Sequence, residues 1–120
     1  MCSLREGIPA DIYSQLWTLQ IYRKLGKLFK NIPIKMVFLL TDSPPAFVVK
    51  IDKVNFEVKM LENVKNVKDL DYLECDAYLA LPTEMFLKGL NEIKDGISQK
   101  KVKIKNYEIL TFLEKIWEAL

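Results

Sequence analysis

Residues 76–106 read DAYLALPTEMFLKGLNEIKDGISQKKVKIKN, and within them the hydrophobic period changes twice. Ala77, Leu79 and Leu81 alternate with Asp76, Tyr78 and Ala80, which sets one apolar row on one face of a strand. Pro82 ends that strand, because proline brings no ladder donor. From Thr83 the spacing becomes three and four. Phe86, Leu90, Ile93 and Ile97 share one side while Glu84, Lys88, Glu92 and Asp95 take the other, the pattern of an amphipathic helix. Val102 and Ile104, set between Lys101, Lys103 and Lys105, return to the strand period, and Asn106 is a good N-cap for a final helix. Strand, helix and strand in unbroken succession imply that this helix lies on a sheet.

Upstream, the same alternation appears three times. Residues 34–40 set Met36, Phe38 and Leu40 against Val37 and Leu39; residues 46–52 set Phe47, Val49 and Ile51 against Val48, Lys50 and Asp52; residues 54–61 set Val54, Phe56, Val58 and Met60 against Asn55, Glu57 and Lys59. Short turn-rich links such as Thr41-Asp42-Ser43-Pro44-Pro45 join them, so the three form an antiparallel meander, one face apolar and the other wet. Residues 62–74 are a polar connector with Val64, Val67 and Leu70 as anchors.

At the N-terminus, residues 1–10 read as a loose lead-in and residues 11–30 as a helix. Ile12, Leu16, Leu19, Leu25, Leu28 and Phe29 form its apolar face. Tyr13, Trp17, Ile21 and Tyr22 widen that face beyond what a surface helix needs, so much of it is expected to be covered. Arg23, Lys24, Lys27 and Lys30 suit the negative end of the helix dipole, and Gly26 is a candidate kink. This basic cluster reads first as a solvated face, with contact to an anionic membrane or partner as the alternative. Residues 107–120 give the last amphipathic helix, Ile109, Leu113, Ile116, Trp117 and Leu120 on one side. The expected fold class is α+β: a five-stranded, mainly antiparallel sheet with helices packed on its apolar face, residues 1–120 forming a single domain.

Composition narrows the chemistry. Half of the 120 residues are hydrophobic, 28% are charged and the net charge is +2, a globular balance with too little positive charge to indicate a nucleic-acid partner. The sequence contains no histidine, which excludes Ser-His-Asp hydrolysis, cysteine–histidine proteolysis and histidine zinc sites. It contains no GxxxxGK[ST], GxGxxG or CxxC, and its four glycines are dispersed. Cys2 and Cys75 lie far apart, and Cys75 stands between Glu74 and Asp76, whose charges disfavour a thiolate. Neither a cofactor nor a metal site is expected, nor is catalysis. With no run of about 18 apolar residues and no h-region in MCSLREG, the expected location is the cytoplasm.

The order of elements resembles the sterol carrier protein 2 family, the SCP2-like sterol-binding domains, over nearly the whole chain. Its local pattern has an acidic residue opening a short strand, a helix ending in glycine, and a Gly-Lys-Leu-Lys-Ile-Lys-Gly-like strand before the last helix. Asp76, Gly89 and Lys101-Val102-Lys103-Ile104-Lys105 match it in order, and Asn106 takes the place of the closing glycine, a mild exchange because asparagine tolerates left-handed backbone angles. Lys100 stands where the glycine before the strand would be, Ile93 where a proline is common, and Asp52-Lys53 lacks a hairpin glycine.

The resemblance implies an apolar cavity between sheet and helices that holds a lipid, an acyl chain or a sterol-like molecule. The residues offered as its lining are Met36, Phe38, Phe47, Val49, Phe56, Val58, Met85, Phe86, Leu90, Leu113 and Trp117. Methionine and phenylalanine suit irregular apolar ligands, while close-packed core is the simpler reading of any one of them. The function expected is non-enzymatic binding, with intracellular transfer, of a hydrophobic small molecule, including transient contact with a membrane surface. The alternative is an accessory domain whose apolar helix faces bury against another chain or a second copy as a homodimer. Lys101, Lys103 and Lys105 read as the solvent side of an amphipathic strand, with headgroup contact as the alternative.

Overall fold

The alternation of the sequence becomes a five-stranded sheet. β1 (Lys35–Leu40), β2 (Ala46–Asp52) and β3 (Asn55–Leu61) pair antiparallel, with Phe38 opposite Phe47 and Val49 opposite Val58. β4 (Ala77–Leu81) lies parallel to the other side of β1, Phe38 beside Leu79, and β5 (Lys103–Lys105) closes that edge antiparallel to β4. The order is β3-β2-β1-β4-β5. This computed structural model describes residues 8–23, 27, 35–42, 46–52 and 55–118. The expected kink at Gly26, the lysines at 24 and 30, the turns at residues 43–45 and 53–54, and Leu120 lie outside the described residues.

Four α-helices with both ends among the described residues accompany the sheet. α1 (Ile8–Ile21) begins within the expected lead-in, because Pro9 fits the first turn, where its missing N–H is no loss. It also ends earlier than expected. The Tyr22 and Arg23 amides bond back to Thr18 and Gln20 at 3.1 and 3.0 Å, and Arg23 turns into the left-handed region at φ 57°. The single helix expected from Thr83 is two: α2 (Thr83–Lys88) and α3 (Leu90–Ser98), separated by Gly89 at φ 102°, a backbone angle that side chains oppose. α4 (Glu108–Glu118) follows β5. Asn106 sits at φ 69° and its Oδ1 accepts the Glu108 amide at 3.0 Å, so it serves both as left-handed residue and as helix cap.

The sheet's second face is not wet, which corrects the expectation. Residues 62–76 fold over it through a 3-10 turn (Val67–Tyr72), and Val64 and Leu70 pack with Val37, Leu39, Ala46, Val48 and Ala80 in a small second core. The cover is partial. β2 is buried on both faces from Ala46 to Val49, then exposes Lys50 and Asp52. Asp69 staples the 3-10 turn by accepting the Lys65 and Asn66 amides, both at 3.1 Å. Asp76 ties β4 to β1: its carboxylate accepts the Lys35 amide at 3.0 Å and its own amide donates to the Lys35 carbonyl at 3.0 Å.

Candidate functional site

On the helix side, the inward rows of the strands meet the apolar faces of all four helices in one cluster. Phe38 on β1 is its hub. Its fully buried ring stacks on Phe47 at 5.3 Å and 20°, meets Phe86 of α2 edge-on at 6.4 Å and 90°, and tilts against Phe112 of α4 at 6.0 Å. Such ring pairs are the arrangement that aromatic quadrupoles favour. At the β3 edge, Phe56 meets Tyr13 of α1 edge-on at 5.3 Å.

The structure gathers the sequence-derived site residues into this cluster. Met36, Phe38, Phe47, Val49, Val58, Phe86 and Leu113 are buried in it, and Phe56, Met85 and Leu90 pack against it half-buried. Trp117 falls within α4, with its side chain outside the described residues. Several members were read only as helix faces: Ile12, Leu16 and Leu19 of α1 and Ile93 of α3 share the same interior, joined by Phe112 of α4. Their helical spacing was the available signal.

Electrostatics inside the cluster are simple. Among the described residues, none that is buried is polar or charged. A ligand placed there would be held by shape and apolar area, with nothing to fix a polar group. Polar order lies at the rim instead. Asp42, at the end of β1, accepts the Thr83 amide at 2.9 Å and the Thr83 hydroxyl at 2.7 Å, and these bonds hold its carboxyl below the ordinary carboxylate value. They fasten the start of α2 to the sheet.

Cys75 is half-buried, and burial pushes its thiol up. Lys105 and Lys35 oppose that, and Asp76 adds to it to a lesser degree, so burial rather than the neighbouring acids is the chief reason the thiolate is disfavoured. The expected lysine row does not act as one face. Lys103 reaches across the second face to Asp71 at 2.6 Å and lies 5.8 Å over the Tyr78 ring, Lys105 donates to the Cys75 carbonyl at 3.1 Å, and Lys101 is exposed ahead of the strand.

A pocket of about 140 Å³ lies beside the α2–α3 junction, lined by Pro82, Glu84, Met85, Lys88 and Glu92. A larger groove of about 590 Å³ opens between the α3–β5 loop and the 3-10 turn. Sequence reading did not find it, because its residues come from five separate places in the chain.

Sheet order, helix layer and one-sided apolar cluster define an α+β domain with an interior built for apolar contact. Among solved structures, the one described as "UbiJ-SCP2 Ubiquinone synthesis protein" matches with a TM-score of 0.57, covering 93% of this chain and 97% of that chain at 7% identity. The chain therefore has the SCP2-like fold. No protein-family model matches it, and no curated protein matches its sequence.

Proposed function

We propose that the chain binds a hydrophobic small molecule, a lipid, acyl chain or isoprenoid-like compound, between the sheet and helices α2 to α4, without catalysis, and carries it inside the cell. The observation that carries this reading is the helix-side apolar cluster around Phe38, joined to an SCP2-like fold. Affinity would come from area removed from water. About ten methylenes at ~0.8 kcal/mol each offer ~8 kcal/mol before ordering costs, the scale of micromolar binding, with loose specificity.

Admission requires an element to move, and α2 is the candidate. It is short, it carries Leu87 exposed at 70%, Gly89 follows it at a glycine-favouring backbone angle, and its own half-buried Met85 can change shape. Native mass spectrometry of gently purified protein, followed by organic extraction, tests the proposal. A lipid of defined mass travelling with the chain supports carriage. Ligand-free protein whose melting temperature is unmoved by fatty acids, acyl-CoA and isoprenoids would end it.

One observation favours the second reading. Tyr13, Trp17 and Ile21, four residues apart along α1, are exposed at 42, 51 and 58%, contrary to the expectation that this face is covered. Tyr22 adds to the patch, and Arg23 follows it. The patch suits transient contact with a membrane surface during transfer, or burial against a second copy in an accessory domain. Sedimentation with and without anionic vesicles separates these: Trp17→Ser should abolish vesicle binding in the first case and dissociate a dimer in the second.

A further inference from the structure

The groove of about 590 Å³ is built of different material from the helix-side cluster. Val67, Ala80, Ile97 and Ile104, all buried or half-buried, form its apolar wall, while Lys100 and Lys101 stand exposed at its rim. Lys103 also lines it, with its ammonium already engaged by Asp71. Among the described residues, Lys100 and Lys101 have no carboxylate partner, so the rim carries two positive charges without a compensating acid.

The backbone holds them there with care. The Lys100 amide donates to Ile97 at 3.1 Å and the Lys101 and Val102 amides both donate to Gly96, at 2.8 and 3.3 Å. Lys100 is fixed at φ 60°, a left-handed angle that glycine would meet without strain. This is the left-handed residue that commonly closes a helix, and it sets Lys100 and Lys101 just past the end of α3, beside the groove.

We propose that this groove binds a phosphate monoester carrying a short apolar group, its phosphate between Lys100 and Lys101 and its apolar part along Val67, Ala80, Ile97 and Ile104. The charge count selects phosphate. Two free ammonium groups balance a phosphomonoester of roughly −1.5 to −2, whereas a carboxylate would leave one unmatched. Lysine acts as a point charge and needs no planar partner, which suits a tetrahedral anion. The volume lies within the roughly 300–1,000 Å³ of small-molecule sites. The groove shares Ile97 and Ile104 with the edge of the helix-side cluster but needs no opening of it, so the site stands whether or not the core takes a ligand.

Titration of hexyl phosphate into the full chain, read by calorimetry and by backbone amide NMR shifts, tests this. Shifts should gather at residues 97–104 with Val67 and Ala80, and inorganic phosphate and hexanol should each bind at least about ten-fold more weakly, since each lacks half of the recognised chemistry. The double variant Lys100→Gly, Lys101→Ser should bind about ten-fold more weakly, as two exposed ion pairs predict. Its glycine suits the backbone, so the fold is retained; Lys101→Gln alone provides a second, milder loss. Lys94→Ser, a lysine removed from the exposed side of α3, should change nothing. The proposal fails if the double variant keeps its affinity, if Lys94→Ser loses as much, if hexanol or inorganic phosphate matches hexyl phosphate, or if the shifts centre on Phe38 and Phe86.

Discussion

Replacing Phe38 by alanine would empty the hub of the helix-side cluster, and the structure sets the size of the effect. The ring is fully buried and leans on Phe47, Phe86 and Phe112, which come from a neighbouring strand and two different helices. Because no one of these elements can collapse into the void without displacing the other two, most of the cavity stays open and the cost belongs in the upper half of the range for buried phenylalanine, about 4 kcal/mol or more. For a domain of this size that is a fall of about 15 °C in melting temperature. Urea unfolding followed by circular dichroism measures it, and the m-value should stay unchanged. A dry apolar void of this kind also takes small apolar guests, so benzene should raise the melting temperature of Phe38→Ala by more than it raises that of the parent chain. A loss under about 1 kcal/mol at unchanged m would refute the reasoning. It would mean that the rings do not close on Phe38 and that space already exists at the hub.

Other perturbations address the supports of the site. Gly96→Ala would bring a Cβ to 2.6 Å from Val102 Cγ2 and 2.9 Å from Met85 Sδ; a methionine tip yields easily but a branched valine does not, so overpacking should exceed the roughly 1 kcal/mol of helix propensity gained, for a net loss of about 1 kcal/mol. Adding Val102→Ala should relieve the clash, seen as positive coupling in a double-mutant cycle. Lys100→Gly alone should raise stability by about 0.5 kcal/mol, left-handed strain of ~1–2 kcal/mol released against the ~0.5–1 kcal/mol entropic cost of glycine, measured by chemical denaturation. The pH dependence centres on Asp42, whose folded pKa is lowered by the two Thr83 bonds. Its contribution is therefore complete above the ordinary carboxylate value and lost as pH falls through the lower folded one. Melting temperatures of Asp42→Asn should fall less steeply with acid than those of the parent chain; parallel curves would show that the Asp42–Thr83 contact contributes nothing to acid sensitivity.

How much of this was legible in the sequence depended on the range of the physics. Alternation along residues 46–52 specified both the strand and which of its residues face the helices, because the pleat turns successive side chains to opposite faces wherever the strand pairs. The same local geometry identified Phe86, Ile93 and Leu113 as inward, and the tolerance of asparagine for left-handed angles anticipated Asn106 at φ 69°. Ten of the eleven residues offered as lining therefore meet in one cluster.

Other features were settled only when distant segments came together. Nothing local in residues 62–76 said which face of the sheet they would cover, and the expectation of a wet second face failed because Val64 and Leu70 needed a surface. The break at Gly89 escaped a period count because Phe86 and Leu90 keep helical spacing across it, while the backbone turns at φ 102°. Tyr13, Trp17 and Ile21 looked like covered surface and stand exposed, since a sequence records that a helix is apolar all round but not how many neighbours it finds. The groove joins Thr41, Val67, Ala80, Ile97 and the lysine run, segments that no local pattern relates. The sequence by itself determined the elements, their faces and the apolar character of the interior, because these follow from short-range chain geometry. Tertiary structure alone decided strand order, the cover of the second face and the groove, because each depends on which remote surfaces compete best for burial.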